Sequence, residues 1–329
     1  MGAVLGASER PVSDSDWKAR PTSDSDETER AGKEHDGTDR TEGSVMGARR
    51  WIGGRPVLAF VLIAFGWTWG WYAIYFAFDL WGLIPVAIPD VWGPAIGALV
   101  VVWAREVPVL EWLRRRLDWR VTPALFVLAL AIPLVITNVQ PFVEAIGGGT
   151  VVYDPPGELP RELHLAIGLS VVFVLVQTFV LGGSEELGWR GVLQPRLQRR
   201  LSVFTTGLVI GVLWWAWHLP LFASGHPFFE VALAPFIAYT LFIIGASTVL
   251  GALANATGGS VLPVMVMHGT ANLGAFFTAH GGFSAGSWLV PILVGAGLWW
   301  AIAAVLVARY GLSMSPVDRS IAVIDPKCP

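Results

Sequence analysis

The sequence is poor in cysteine and in charge. Cys328 is the only cysteine among 329 residues, which excludes an internal disulfide and any metal site built from cysteines. Charged residues make up 14% of the chain, whereas a soluble globular protein has about a quarter. Hydrophobic residues make up 54% and the mean hydropathy is +0.58. This composition indicates a protein that has the lipid bilayer as its solvent, and it gives no support to nucleic-acid binding.

The few charges that are present are unevenly distributed. Residues 1–50 hold eight Lys/Arg and eleven Asp/Glu, so the whole net charge of -3 lies there. This stretch is mostly polar, and it lacks the apolar core of a signal peptide. It cannot bury enough apolar surface to offset the entropy of ordering, so we predict a disordered tail at 1–50. We expect a transmembrane bundle at 51–312 and a short C-terminal tail at 313–329.

Long apolar runs dominate the rest of the chain. A membrane-spanning helix needs about twenty apolar residues. Between Val203 and Ala308, Glu230 is the only formally charged residue, so several spans must lie in that stretch. We predict an all-α, polytopic membrane bundle of about eight transmembrane helices, at residues 56–78, 90–104, 121–140, 163–182, 203–223, 231–252, 260–279 and 287–308.

The positions of the arginines orient this bundle, because cytoplasmic loops carry an excess of basic residues. With eight spans, Arg161 is the only basic residue in the loops of the opposite side. We therefore predict that both termini are cytoplasmic and that the protein is integral to the cell membrane. The residues on the predicted cytoplasmic side are Arg49, Arg50, Arg55, Arg105, Arg114, Arg115, Arg116, Arg120, Arg190, Arg196, Arg199, Arg200, Arg309, Arg319 and Lys327.

The spans contain no clear internal repeat, which disfavours a transporter built from inverted halves. Small residues recur in the last four spans, and small residues let membrane helices approach closely. We therefore predict close helix packing at three glycine pairs, Gly207 with Gly211, Gly245 with Gly251, and Gly295 with Gly297.

Two adjacent glutamates follow the apolar run that ends at Leu181. Glu186 and Arg190 are four residues apart with the acid first, which is the favourable order for an ion pair within a helix. Neighbouring helix positions point about 100° apart, so we expect Glu185 to point into the bundle. An unpaired carboxylate in a dry site is suited to general-base chemistry. The alternative is that both glutamates lie in cytosolic water at the membrane boundary.

His218 lies deep in an otherwise apolar span. Ionisable residues inside membranes usually face the bundle interior or a water-filled cavity. The alternative is a neutral histidine that donates to a backbone carbonyl of a neighbouring helix. Trp214, one turn earlier on the same face, is expected to wall the cavity against lipid. His218 would lie about 22 Å along a helix that starts at Val203, whereas Glu185 is expected near the cytosolic face. This mismatch shrinks if residues 202–207 form an extramembrane first turn, and if the fourth span is tilted or continues past Arg190.

His268 and Asn272 are four residues apart and therefore share a helix face. Their imidazole and carboxamide could form an oxyanion hole for a tetrahedral intermediate. Alternatively, His268 is a metal ligand that Asn272 orients. A third interpretation is hydrogen bonding between helices, which polar residues in membrane bundles often supply.

Together these clusters resemble the CPBP family, the group of CAAX-type prenyl endopeptidases and of bacteriocin-processing or abortive-infection proteins. The resemblance covers about residues 160–280, which we take as the catalytic core. In the family the aromatic residue of the second motif is often Phe, so the exchange is expected to affect the shape of the pocket. The motifs are Glu185-Glu186-x-x-x-Arg190, Trp214-x-x-x-His218 and His268-x-x-x-Asn272.

The resemblance implies a role for each motif. Glu185 would be the catalytic glutamate, and His218 would hold and activate the water. His268 with Asn272 would stabilise the oxyanion or hold the water from the opposite side. The catalytic residues implied are Glu185, Glu186, His218, His268 and Asn272, with Arg190 and Trp214 as structural support.

The cofactor stays open at this stage. Glu185, His218 and His268 could hold a zinc ion with one open position for water. The same residues could also act without a metal, with Glu185 as the base and His218 as its orienting partner. The His-Glu-x-x-His pattern of other membrane metalloproteases is absent from the sequence.

We therefore predict an intramembrane endopeptidase of the CAAX type, metal-dependent or glutamate-dependent, with its active site facing the cytoplasm. Its partners would be the lipid bilayer and a membrane-associated peptide or protein substrate, either a prenylated C-a-a-X protein or a leader peptide. Two alternatives remain. One is a non-catalytic immunity or scaffold protein that binds a peptide in the same cavity, and the other is a small-solute or proton transporter.

Overall fold

The computed structural model describes residues 43–80, 89–146, 163–224, 232–279 and 289–314, and it contains no strand in those ranges. Contacts divide the chain into two units, Met1–Ala48 and Arg49–Pro329. Residues 43–48 of the first unit are helical, and everything below concerns the second. Most of the predicted tails lies outside the described residues, so the predictions for residues 1–50 and 313–329 stay untested.

Nine helices form the described part of the second unit, besides short turns and the helical residues 49–54. All but the third are mainly apolar. Their bounds are α1 Pro56–Phe78, α2 Gly93–Ala104, α3 Val109–Arg116, α4 Pro123–Ile146, α5 Leu163–Phe179, α6 Val203–Trp217, α7 Leu233–Ala256, α8 Leu262–Ala279 and α9 Leu289–Tyr310.

These helices agree with the predicted all-α membrane bundle, and each predicted span overlaps one of them. Two shorter apolar helices lie at Asp90–Ala104 and Pro123–Thr137. The fold class is therefore confirmed, whereas the count of eight crossings and the side of the termini stay predictions. Five helical stretches are long and apolar enough to cross a membrane, namely Pro56–Phe78, Gly168–Leu197, Val203–Ala223, Leu233–Ala256 and Ile292–Ser313.

Local signals set the ends of two of these helices. Pro56 begins α1, where its missing N–H is no loss, and Asp79 ends it in the left-handed conformation with φ of 50°. Ser202 caps α6, because its hydroxyl accepts a hydrogen bond from the Thr205 backbone N–H at 3.1 Å. Between such ends an apolar chain in lipid stays helical, since no water is present to satisfy its backbone polar groups.

Glycines bring α6 and α7 into close contact. A β-carbon at Gly207 would lie 2.7 Å from Cα of Thr248, and one at Gly211 would lie 2.9 Å from Cα of Ile244. The predicted close packing is confirmed at this pair. It is wrong at Gly297, where a β-carbon would meet nothing within 4 Å.

The chain after α5 forms a segment of changing helical pitch, Gly182–Leu197, which we call the motif segment. It begins as a tight 3-10 turn over Gly182–Glu185 and widens to a π-helical turn over Trp189–Leu193. Such π turns are rare and occur mostly at functional sites. The segment runs parallel to α7, because Arg190 bonds to Ser247 and Gln194 bonds to Gly251 one turn further along both.

The motif segment extends the helical chain well beyond the two glutamates. It continues twelve residues beyond Glu185 to Leu197, which is about 18 Å of α-helix. Glu185 is 3% exposed and Glu186 is 0% exposed. The alternative that both lie in water at the membrane boundary is therefore wrong. Glu185 instead lies level with Trp214, to which it is hydrogen-bonded.

The connection between the predicted second and third spans, 105–120, contacts two other segments that are predicted to be cytoplasmic. Arg105 donates to the carbonyl oxygen of Gly53 at 3.2 Å. Arg116, which is buried, donates to the carbonyl oxygen of Gly259 at 3.0 Å, and its own carbonyl accepts from the N–H of Val261. Arg105 and Arg116 thus join segments of the predicted cytoplasmic side, and the orientation of the bundle stays a prediction.

Candidate active site

Glu185 is held by two tryptophans. Its Oε2 accepts a hydrogen bond from the indole N–H of Trp214 at 2.8 Å and another from Trp189 at 3.3 Å. Both indoles are buried and neutral. The two hydrogen bonds end on the same oxygen, so Oε1 is the oxygen left for a water or a substrate. The sequence-based expectation of a wholly unpaired Glu185 is therefore corrected, because it has neutral donors and no ion pair among the described residues.

Glu186 has charged and polar partners instead. Arg190 lies 2.8 Å from Oε2 and donates to Oε1 at 3.0 Å, with both side chains fully buried. The predicted ion pair is confirmed. Nδ1 of His268 also bonds to Oε1, at 2.8 Å. Arg190 in turn donates to the hydroxyl of Ser247 at 3.0 Å. Glu186 thus connects the motif segment to α8, and Arg190 connects it to α7.

His218 ends α6 and is partly exposed. Its Nδ1 lies 2.8 Å from the carbonyl oxygen of Trp214. A carbonyl only accepts, so Nδ1 carries the proton, and the neutral ring then has its lone pair on Nε2. This carbonyl belongs to α6 itself. The alternative from the sequence, a bond to a carbonyl of a neighbouring helix, is therefore wrong for Nδ1. Trp217 and Tyr239 contact the ring edge-to-face, with ring centroids 4.7 and 6.0 Å away.

The side chains of His268 and Asn272, both on α8, point to Gly182, the first residue of the motif segment. A β-carbon at Gly182 would lie 2.5 Å from Nδ2 of Asn272 and 2.9 Å from Nε2 of His268. The two side chains therefore point together, as their spacing predicts. Asn272 also donates from Nδ2 to Oε1 of Gln177 at 2.9 Å, which fixes the direction of its carboxamide. Glycine at 182 keeps this corner open.

Trp214 connects the parts of the site. Besides its hydrogen bond to Glu185, its ring lies 5.0 Å from the His268 ring and 5.7 Å from the His218 ring. The guanidinium of Arg190 lies over the same indole at 5.4 Å. The side chain is buried, so the expectation that it walls the cavity against lipid is wrong. Its place is between the catalytic candidates.

Sequence reasoning missed several residues that line the site. Trp189 follows Glu185 by four positions, and this spacing on one helix face could have identified it. Gln177 is a polar residue in an apolar helix, which is a usable signal in a membrane protein. Tyr239, buried and beside His218, has no sequence pattern that distinguishes it from a core tyrosine.

The donor set fits a metal poorly. No group of three or more His, Cys, Asp or Glu side chains in the described part of the chain could hold a metal ion. One oxygen of Glu185 accepts from two indoles, and Glu186 is committed to Arg190 and His268. The proposed zinc ligands Glu185, His218 and His268 therefore do not form a ligand set here, and no step below uses a metal.

Taken together, the fold and the site define an α-helical membrane protein with a buried glutamate and histidine centre. Residues 167–274 match the family described as Type II CAAX prenyl endopeptidase Rce1-like. The matched range contains all three motifs, and the predicted resemblance to CAAX-type endopeptidases is confirmed over it.

A curated relative agrees over a shorter stretch. The chain is 49% identical over 37 residues to "CAAX prenyl protease 2" from Methanococcus maripaludis. That alignment covers 11% of this chain and 14% of the relative, so the chain matches only a small part of the relative's length.

Proposed function

We propose that the protein is an intramembrane endopeptidase that hydrolyses a peptide bond of a membrane-associated substrate. The observation that carries the proposal is the Glu185 carboxylate, which is buried, oriented by two neutral indole donors and joined through Trp214 to the rings of His218 and His268. The match of residues 167–274 to a family of prenyl endopeptidases supports the same activity.

Glu185 would act as the general base. A water between Oε1 of Glu185 and Nε2 of His218 can donate one hydrogen to each, because both atoms carry lone pairs. Its own lone pair then faces the scissile carbonyl carbon. As the water oxygen attacks, Glu185 takes the proton, and it later gives that proton to the nitrogen of the leaving amine.

Asn272 and His268 would bind the oxyanion that forms during this attack. Nδ2 of Asn272 has two hydrogens, of which one is donated to Gln177, so the second can be donated to the carbonyl oxygen. Nδ1 of His268 faces a carboxylate and must carry a proton, so Nε2 donates only when the ring carries both protons. The amide supplies a donor in either state of the ring.

The substrate would be a prenylated C-a-a-X peptide or a leader peptide, presented from the cytoplasmic leaflet. The name of the curated relative favours the prenylated class. The basic end of the bundle, with Arg105 and Arg116, favours a cytoplasmic opening under the positive-inside rule.

The test is cleavage in proteoliposomes of an S-farnesylated peptide that ends in Cys-Val-Leu-Ser, with the same unmodified peptide as the second substrate. The wild-type chain is expected to release a fragment by hydrolysis, whereas Glu185→Ala and His218→Ala are expected to release none while remaining folded. Faster cleavage of the farnesylated peptide assigns the prenylated class.

Arg115→Ala is the matched control, because its ion pair with Glu111 is exposed and distant in sequence from the three motifs. It should cleave like the wild type. Equal product from wild type and Glu185→Ala contradicts the proposal. Peptide binding without cleavage, unchanged in Glu185→Gln, points instead to the scaffold alternative.

A further inference from the structure

Asp90 is a buried carboxylate outside the range that matches the family. It is 1% exposed, at the start of an apolar helical stretch. Tyr72 and Tyr75 of α1 both donate hydrogen bonds to its carboxylate, the latter at 3.3 Å. Thr68 donates to its backbone carbonyl at 2.5 Å. A buried carboxylate is costly unless hydrogen bonds satisfy it, and here the two phenols supply them.

The cluster lies directly beside the candidate active site. The turn Asp90–Trp92 packs against Gly182–Glu185. The indole N–H of Trp92 donates to the carbonyl oxygen of Val180 at 2.7 Å, just before this turn. Asp90 is therefore attached to the same backbone that carries Glu185.

The two tyrosines differ in what else they face. Tyr72 interacts electrostatically with Glu185 and with Tyr239, in addition to its hydrogen bond with Asp90. The electrostatic partner of Tyr75 is Asp90. Both tyrosines are 2% exposed and they are three residues apart on one helix. The chain thus supplies a matched pair, of which Tyr72 is the member with an interaction with Glu185.

The hydrogen bond to Asp90 sets what Tyr72 can do. A phenol has one proton, and Tyr72 donates it to Asp90, so towards any other group its oxygen can only accept. The other groups around Glu185 include the two indole donors and a second phenol, that of Tyr239, and the lone pairs of Glu185 and His218 serve the water. A peptide in lipid needs an acceptor for each backbone N–H, because an unsatisfied group costs several kcal/mol there.

We propose that Tyr72, oriented by Asp90, accepts a hydrogen bond from a backbone N–H of the bound peptide substrate. Tyr72 is then a substrate-binding residue and Asp90 a positioning residue. The proposal rests on the proposed endopeptidase function, and it extends the site to α1, outside residues 167–274.

The first experiment measures peptide affinity in the full-length chain with Glu185→Gln, which binds without turnover. The probe is the S-farnesylated peptide ending in Cys-Val-Leu-Ser, in proteoliposomes. Tyr72→Phe is expected to weaken binding about tenfold, the effect of one lost hydrogen bond. Tyr75→Phe removes the other hydrogen bond to Asp90 and is expected to change affinity less than twofold. Equal effects of the two variants overturn the proposal.

Asp90 provides the second arm. Asp90→Asn keeps a side-chain oxygen that can accept from Tyr72, so it should bind nearly as well as its parent. Asp90→Ala should weaken binding as much as Tyr72→Phe, with no further loss in the double variant. Additive losses in the double variant contradict a shared pathway, since Asp90 would then act separately from Tyr72.

The third arm changes the peptide. Replacing one backbone N–H at a time by an ester oxygen should identify one position that weakens binding to the parent but not to Tyr72→Phe. If Tyr72→Phe lowers kcat in the active chain and leaves affinity unchanged, Tyr72 belongs to the chemical step and the proposal fails.

Binding and turnover separate this proposal from the previous one. Unequal affinities without cleavage by the wild type would remove the endopeptidase function and keep the role of Tyr72. Cleavage by the wild type, with equal affinities of the Tyr72→Phe and Tyr75→Phe variants, would keep the endopeptidase function and remove the role of Tyr72. Absence of peptide binding by both the wild type and the Glu185→Gln chain overturns the role of Tyr72.

Discussion

The two adjacent glutamates lie in opposite surroundings. Around Glu186 the partners are Arg190 and His268, so its charge is compensated inside the bundle. Around Glu185 the partners are the neutral indoles of Trp189 and Trp214. Both carboxylates are buried to nearly the same extent, so burial does not distinguish them. The charge of the partners does.

This difference in partners indicates different roles for the two glutamates. A buried charge with a salt-bridge partner is expensive to disturb, because removal of one member leaves the other unpaired. A carboxylate that is held by neutral donors can exchange a proton without breaking an ion pair. Glu186 therefore suits a structural role, and Glu185 suits the general base.

The largest expected effect is that of Glu185→Gln on turnover. Loss of a general base lowers kcat by about a hundredfold to ten-thousandfold. The amide oxygen of Gln can still accept from both indoles, so the thermal midpoint should change little. Cleavage rate and midpoint measured on one preparation check both parts. Near wild-type kcat would remove the assignment of the base.

Glu186→Gln should reverse that pattern, with a loss of stability of about 3–5 kcal/mol, because Arg190 stays buried without its partner. The control is Glu111→Gln, which breaks a Glu–Arg pair of the same spacing on the surface, at 3.4 Å. Exposed pairs contribute about 0–1 kcal/mol. Unfolding in detergent compares the two variants, and similar midpoints would contradict the structural role.

Gly182→Ala tests the corner where Asn272 and His268 meet. The new β-carbon would lie 2.5 Å from Nδ2 of Asn272, so the carboxamide must shift. Loss of one oxyanion donor lowers kcat about a hundredfold or more. Gly297→Ala, which meets nothing within 4 Å, should leave activity unchanged. Equal activity of the two variants would show that this corner is not used.

Trp214→Phe should have a smaller effect, since it removes one of two donors to Glu185. A hydrogen bond to a charged group is worth about 1.5–3 kcal/mol, so kcat should fall about tenfold to a hundredfold. Trp189→Phe should cost less, because its hydrogen bond is longer, at 3.3 Å. Trp215→Phe is the control, because that ring packs against Phe236. A wild-type rate for Trp214→Phe would leave the indoles without a role in turnover.

The smallest expected effect is that of a chelator. Because Glu186 is committed to Arg190 and His268, and one oxygen of Glu185 accepts from two indoles, purified protein should bind no stoichiometric zinc and should keep its activity after chelation. Elemental measurement of zinc with a parallel cleavage assay checks this. If chelation abolishes activity and added zinc restores it, Glu185, His218 and His268 would be zinc ligands after all.

Much of the fold was predictable because lipid permits few structures. An apolar run of sufficient length in a bilayer must be helical, so the predicted spans and the observed helices overlap closely. Individual deviations were not predictable. The span expected at 163–182 continues as the motif segment to Leu197, since the ion pair of Glu186 and the hydrogen bonds of Gln194 stabilise polar helix inside the bundle.

The candidate site was predictable in its residues and less so in its contacts. Spacing alone indicated that Glu186 pairs with Arg190 and that His268 and Asn272 share a face. It could not indicate that His268 bonds to Glu186, or that Trp214 lies between the site's members, because those contacts join separate helices. The aromatic of the second motif is here a hydrogen-bond donor, which a Phe could not be.

The sequence by itself determined the solvent of this protein, its helical class and the identity of its chemical groups, because composition and spacing act locally along the chain. Tertiary structure decided which glutamate is compensated. It also brought Asp90 and Tyr72 from the N-terminal helices to the site. Both results depend on which helices pack together, and packing between distant segments leaves no periodic trace in the sequence.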